Sequence, residues 1–115
     1  MDNLFGEMLR EKRRAAGISQ RDLADKIGVD FSYISKLENG RLPPPAADTL
    51  VEICRVLNIE PEELLALTGK LPSEIQKGVS SSEAAQQFLH EAQRMGLSEE
   101  EWRHMVQSLK GLRDE

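Results

Sequence analysis

Aromatic residues are scarce in this 115-residue chain, which has one Trp, one Tyr and three Phe. Alternation of apolar and polar residues is missing as well. Together these exclude a sheet-rich fold and leave an all-α chain of small helices rich in Leu, Ile, Ala, Glu and Arg. No apolar run is long enough to span a bilayer, and the N-terminus lacks the basic-then-apolar layout of a secretory signal. A cytoplasmic protein without membrane contact is therefore expected. The single Cys54 cannot close an internal disulfide, and its inward place on an amphipathic helix makes it a core residue. Basic excess is lacking too: the net charge is −5, which taken alone argues against a polyanionic partner.

That charge is unevenly spread. Residues 1–42 carry eight Lys/Arg against seven Asp/Glu, residues 43–69 one against five, and residues 70–115 six against eight. Only the first segment is net positive, and screening over about 8–10 Å makes local charge the relevant quantity. The length suits one ordinary domain with a small appendage.

Helical spacing runs through the first segment. A helix is predicted from about Leu4 to Ala16, with Phe5, Met8, Leu9 and Ala16 apolar and Gly17 ending it. Ser19 caps a second helix with Asp22 as capping-box partner, Leu23, Ala24 and Ile27 as its stripe, and Gly28 as its stop. Asp30 caps a third, Phe31 to Glu38, whose inward residues are Ile34 and Leu37. After a Pro-rich connector, a fourth helix runs from about Ala46 to Leu57 and a short fifth follows Pro61. Residues 70–82, rich in Ser and Gly, read as a linker with one helical turn near Glu74 to Lys77. Residues 83–115 read as a helical hairpin, Glu83 to Met95 and Glu99 to about Leu112, turning at Gly96-Leu97.

Two helices joined by a short Gly-containing turn, the second with small polar residues outward, form a DNA-reading device. With Ile34 and Leu37 inward, Phe31, Ser32, Ser35 and Lys36 are the candidate base contacts. Ser bonds to several bases, Lys favours guanine, and Phe31 can press on a thymine methyl. Gln20 and Arg21, at the positive end of the second helix, are candidate phosphate contacts. Asn39 and Arg41 can grip the flanking backbone, and Tyr33 either reaches a phosphate or packs on the second helix.

The stretches Ser19-Gln20-Arg21-Asp22-Leu23-Ala24, Ile27-Gly28-Val29 and Ser32-Tyr33-Ile34-Ser35-Lys36-Leu37-Glu38-Asn39-Gly40 resemble the Xre/Cro/cI helix-turn-helix family of phage-type repressors. The resemblance implies a five-helix, lambda-repressor-like DNA-binding domain over residues 1–69, with its third helix docked in the major groove of double-stranded DNA. It also implies a structural ion pair between Arg13 and Glu38. Two residues depart from the family pattern: Phe31 is bulkier than the usual polar residue, and Asp30 replaces a common Ser or Thr.

In the hairpin, Phe88, Leu89, Ala92 and Met95 form one apolar stripe and Trp102, Met105, Val106, Leu109 and Leu112 another. Two helices bury too little surface to stand alone, so pairing between chains is expected, as a homodimer or tetramer. The segment around Gly96-Leu97-Ser98-Glu99-Glu100-Glu101-Trp102-Arg103 resembles the C-terminal hairpin of SinR-type regulators of biofilm formation and sporulation. That resemblance implies self-association through the hairpin, and a small antagonist protein carrying a similar one.

Other chemistry is not signalled. His90 and His104 lie on different helices without a Cys or carboxylate at ligand spacing, so no metal is expected. The Glu99-Glu100-Glu101 run suits a helix N-terminus. No nucleophile has a base beside it and no Gly-rich phosphate cradle occurs, so neither a catalytic residue, an enzyme nor a cofactor is expected. The chain reads as a sequence-specific transcriptional regulator, a repressor acting as a dimer on a two-fold operator. The alternative is an antitoxin or antagonist-sequestering module whose hairpin binds a protein and whose DNA binding is autoregulatory.

Overall fold

Leu, Ile and Ala recur at helical spacing along most of the chain, and each such run becomes a helix. The structure is a computed structural model that describes residues 3–113. Among these residues there are eight helices and no strand: α1 (Leu4–Ala15), α2 (Gln20–Ile27), α3 (Phe31–Glu38), α4 (Ala47–Leu57), α5 (Glu62–Thr68), α6 (Ser73–Ser80), α7 (Glu83–Met95) and α8 (Glu99–Gly111). Two units divide the chain, the boundary falling between Gln76 and Lys77.

In the first unit each of the five leading helices sends side chains to one core. Leu9, Leu23, Ile34, Leu37, Leu50, Ile53 and Leu64 are fully enclosed there, with Cys54 among them. Truncating any of these leucines to Ala would cost about 2–5 kcal/mol. Helix α3 packs on α2 and α1, while α4 packs on α2 and α5, and α5 on α1. Two neighbours thus hold α3 from behind and leave its other side outward. The α2–α3 turn is closed at Gly28, which adopts φ 74°, while the Val29 N–H donates to the Ala24 carbonyl at 2.9 Å. A side chain at that φ would be strained by roughly 1–2 kcal/mol, so Gly belongs here on backbone grounds alone.

Three local expectations need correcting. Ala16 lies just past α1 as its exposed C-cap and is not part of an apolar face. Asp30 precedes α3 without a side-chain cap bond, because its carboxylate is engaged by Ser32. The segment expected as a linker holds α6, two turns of helix, tied at its start to the first unit. Lys70 donates to the carbonyls of Pro44 (3.3 Å) and Pro45 (3.0 Å). The Ser73 N–H and Oγ donate to the two Asp48 carboxylate oxygens at 2.9 and 2.7 Å.

In the second unit, Ser98 and Glu101 form a complete capping box: the Glu101 N–H donates to Ser98 Oγ (3.1 Å) and the Ser98 N–H to Glu101 Oε1 (2.9 Å). The Ser98 backbone holds the Glu101 carboxyl below its usual range. Ser82 caps α7 by accepting from the Ala85 N–H. Among the described residues of this unit only Ala92 is buried. No described helix is long and apolar enough to cross a membrane.

Candidate nucleic-acid interface

Periodicity of 3.6 splits α3 into two sides. Ile34 and Leu37 enter the core, Phe31 and Lys36 are exposed, and Ser32 and Ser35 are half-buried. Phe31 is not left bare: the Arg21 guanidinium lies 4.7 Å from its ring centroid. Such a stack is worth about 0.5–1 kcal/mol at an exposed site. It also ties Arg21 to the first turn of α3, so the bulky residue that departs from the family pattern serves as a platform for a cation.

Behind α3 lies a charged network centred on Glu38, which is 0% exposed. Arg13, 8% exposed, donates to both of its carboxylate oxygens, Nε to Oε2 at 2.6 Å and a terminal nitrogen to Oε1 at 3.0 Å. Another Arg13 nitrogen donates to the Ile18 carbonyl at 2.9 Å. Gln20 donates to Glu38 Oε1 at 2.9 Å, and Arg10 Nε to the same oxygen at 3.3 Å. Burial alone would push the Glu38 carboxyl up; the donors Arg13, Gln20 and Arg10 outweigh it and hold the group below the usual carboxylate range. Glu38 in turn raises the Arg13 guanidinium. The pair therefore stays charged while clamping α1, α2 and α3 at one point.

Around the start of α2, Arg10, Arg13, Arg14, Ser19, Gln20, Arg21 and Phe31 line an open concavity of about 580 Å³. With the backbone N–H groups of a helix start nearby, such a surface suits a phosphate. Arg10 and Arg14 join it although the sequence reading passed over them; their signal was the four-residue spacing that puts both on one face of α1. Gln20, a candidate phosphate contact, donates from its amide to Glu38. Tyr33 packs against the core cluster, and burial raises its phenol, keeping it neutral. Asn39 bridges Arg10 and Ser35, accepting from Arg10 at 2.6 Å and donating to Ser35 Oγ at 3.4 Å. Arg41 is exposed just beyond α3.

In the second unit, Phe88, Leu89, Trp102, Met105, Val106, Leu109 and Leu112, with Val79 and Ala85, line an apolar cleft of about 520 Å³. Met95 is also exposed. Ala92 alone of the expected pairing residues is taken up inside its own chain. Among the described residues no group of three or more His, Cys, Asp or Glu gathers that could hold a metal.

A family described as helix-turn-helix matches residues 9–64, the stretch that contains the core, the Gly28 turn and α3. The crystal structure of SinR, the master regulator for biofilm formation, in complex with DNA superimposes with a TM-score of 0.51 and 31% identity, over 54% of this chain and 98% of that one. The chain belongs to the helix-turn-helix family of DNA-binding transcriptional regulators. Among relatives of this family, the HTH-type regulator RghRB of Bacillus subtilis (strain 168) is 29% identical over 110 residues, 88% of this chain and 79% of its own. A longer HTH-type regulator of Mycobacterium tuberculosis (strain ATCC 25618 / H37Rv) is 40% identical over 70 residues, 60% of this chain, which spans about half of it, 49%. The all-helical fold extends past the helix-turn-helix unit: a SinR/SinI protein complex matches 97% of this chain and 100% of that one, with a TM-score of 0.52 and 22% identity.

Proposed function

We propose that this helix-turn-helix protein represses transcription in the cytoplasm as a homodimer on a two-fold operator, with α3 of each copy in the major groove. The observation that supports this best is the outward side of α3. Phe31, Ser32, Ser35 and Lys36 stand on a helix whose back is fixed by the Glu38 network and whose flank carries Arg10, Arg14 and Arg21. Phosphate contacts from Arg14, Arg21 and Arg41 set register, and the four α3 side chains read bases. The likeness to DNA-bound SinR, 31% identical over 54% of this chain, supports the same reading. No catalytic role enters this function. The residue bounds are an operator-reading unit near residues 1–69, a joint over 70–82 and a pairing hairpin over 83–115, with the helical start of the joint attached to the first unit.

The dimer rests on the second unit. The one buried residue among those described there cannot hold two helices in place, and the unit's cleft is lined by large apolar side chains. Residues 83–115 carry four Lys/Arg against seven Asp/Glu, a small like-charge excess per copy that the burial of the apolar stripes has to outweigh. One copy of a four-residue reading face binds weakly, and pairing presents two together. A small protein with a similar hairpin is the competing occupant of this cleft; the likeness to the SinR/SinI complex, at 22% identity, bears on fold alone.

The test pairs two changes. Ser35→Ala with Lys36→Ala abolishes preference for a selected duplex while leaving the melting temperature in place; unchanged affinity removes α3 from the DNA. Leu109→Asp shifts the full chain from dimer to monomer in sedimentation and weakens operator binding. A wild-type chain that sediments as a monomer refutes self-pairing and favours a protein antagonist.

A further inference from the structure

With α3 placed in the groove as proposed above, we infer that its two serines face DNA with opposite hydrogen-bonding polarity: Ser32 accepts from a base amine, and Ser35 donates to a base acceptor. A serine hydroxyl can play either part, because it has one hydrogen and two lone pairs. Which part it favours is set by the neighbour inside the protein that takes up its hydrogen or one of its lone pairs.

Ser32 Oγ lies 3.1 Å from Asp30 Oδ2. A carboxylate only accepts, so the Ser32 hydrogen is committed to Asp30 and its lone pairs remain for the DNA. The Asp30 carboxylate beside it adds negative charge, which favours an amine and repels carbonyl oxygens and ring nitrogens. In the major groove the amines are adenine N6 and cytosine N4.

Ser35 has the opposite neighbour. Arg10 approaches Asn39 Oδ1 at 2.6 Å, and a guanidinium only donates. That contact fixes which end of the Asn39 amide is oxygen, so its NH₂ group is the end facing Ser35 Oγ at 3.4 Å. Ser35 accepts from Asn39, and its own hydrogen is left to point outward. Its partners in the groove are guanine O6 or N7, adenine N7 and thymine O4. Three residues of helix separate the serines by about 4.5 Å along the axis, so the two contacts fall on the same or adjoining base pairs. Asn39 is thereby a positioning residue for specificity, acting through Ser35, and Arg10 orients Asn39 from α1.

The full chain is first used to select from a randomised duplex library, and the enriched half-site is then rebuilt with single atoms changed. Adenine is replaced by its N6-methyl form and cytosine by its N4-methyl form, which keep the pairing hydrogen and block the one facing the groove, and purines by 7-deaza analogues. Blocking one amine weakens wild-type binding about threefold to tenfold and has no effect on Ser32→Ala. Loss of one acceptor does the same for wild type and not for Ser35→Ala. Asn39→Asp presents Ser35 with a group that only accepts; it draws the serine hydrogen inward, so reselection at the Ser35 position moves from an acceptor to an amine. The assignment is overturned if Ser32 couples to an acceptor, if Ser35 couples to an amine, or if Asn39→Asp reselects the wild-type base. A different result marks failure of the groove placement itself: no sequence is enriched, or both serine variants keep every wild-type atom sensitivity. That result overturns the polarity assignment as well.

Discussion

Replacing Glu38 by Ala removes a carboxylate that is 0% exposed and that receives four hydrogen bonds from three side chains. Arg13, nine-tenths enclosed, keeps its charge and loses its partner, while its bond to the Ile18 carbonyl persists. Breaking a buried pair from one side costs about 3–5 kcal/mol. The whole stability of a domain this size is about 4–11 kcal/mol. The variant should therefore lose upwards of about 12 °C in melting temperature, or fail to fold. Urea unfolding followed by circular dichroism on residues 1–76 measures it. The double variant Arg13→Met with Glu38→Leu removes both charges and recovers most of the loss, which separates a stranded charge from a missing contact. A Glu38→Ala protein within about 1 kcal/mol of its parent would refute the clamp.

Three further outcomes follow from the same structure. The folded Glu38 carboxyl sits below its unfolded value, so its contribution is present above that unfolded value and is lost as pH falls through the lower folded one; Glu38→Gln should flatten the acid limb of a stability–pH curve, and an unchanged limb contradicts the assignment. A methyl group at Gly6 would lie 2.5 Å from the Glu38 carbonyl oxygen and from Asn3 Oδ1; Gly6→Ala should cost about 1–3 kcal/mol in urea titration, whereas Gly78→Ala, in open space, should be neutral or stabilising. Burial pushes the Cys54 thiol up to about 11, so a thiol reagent at neutral pH should label it only at the rate of unfolding, and rapid labelling of native protein, followed by mass spectrometry, would show the core to be open.

The helices and the inward residues of the first unit were legible because they depend on local spacing. Leu9, Leu23, Ile34, Leu37, Leu50 and Leu64 follow the 3.6 period and are buried, and Gly28 marks its own turn. Residues 70–82 were not legible in the same way. Their Ser and Gly content suggests a linker, yet α6 is anchored by Asp48, twenty-five residues from Ser73, and by carbonyls of the Pro connector. In the site, the choice of partner was what spacing could not give. Gln20 sits at a helix start, where phosphate contact is a fair expectation, but the buried Glu38 carboxylate draws its amide. The Arg13–Glu38 contact rested on a family resemblance, and the part of Arg10 beside it depends on α1 and α3 being packed together.

The second unit encloses only Ala92 among its described residues. With hairpins paired as proposed, order in such a unit is tied to how many copies are present, because a partner supplies the apolar contacts that one chain lacks. While single chains predominate, doubling their number raises the number of pairs about fourfold by mass action. A regulator built this way meters its own abundance: gene control would switch over a narrow span of expression, with no small-molecule signal needed to set the threshold.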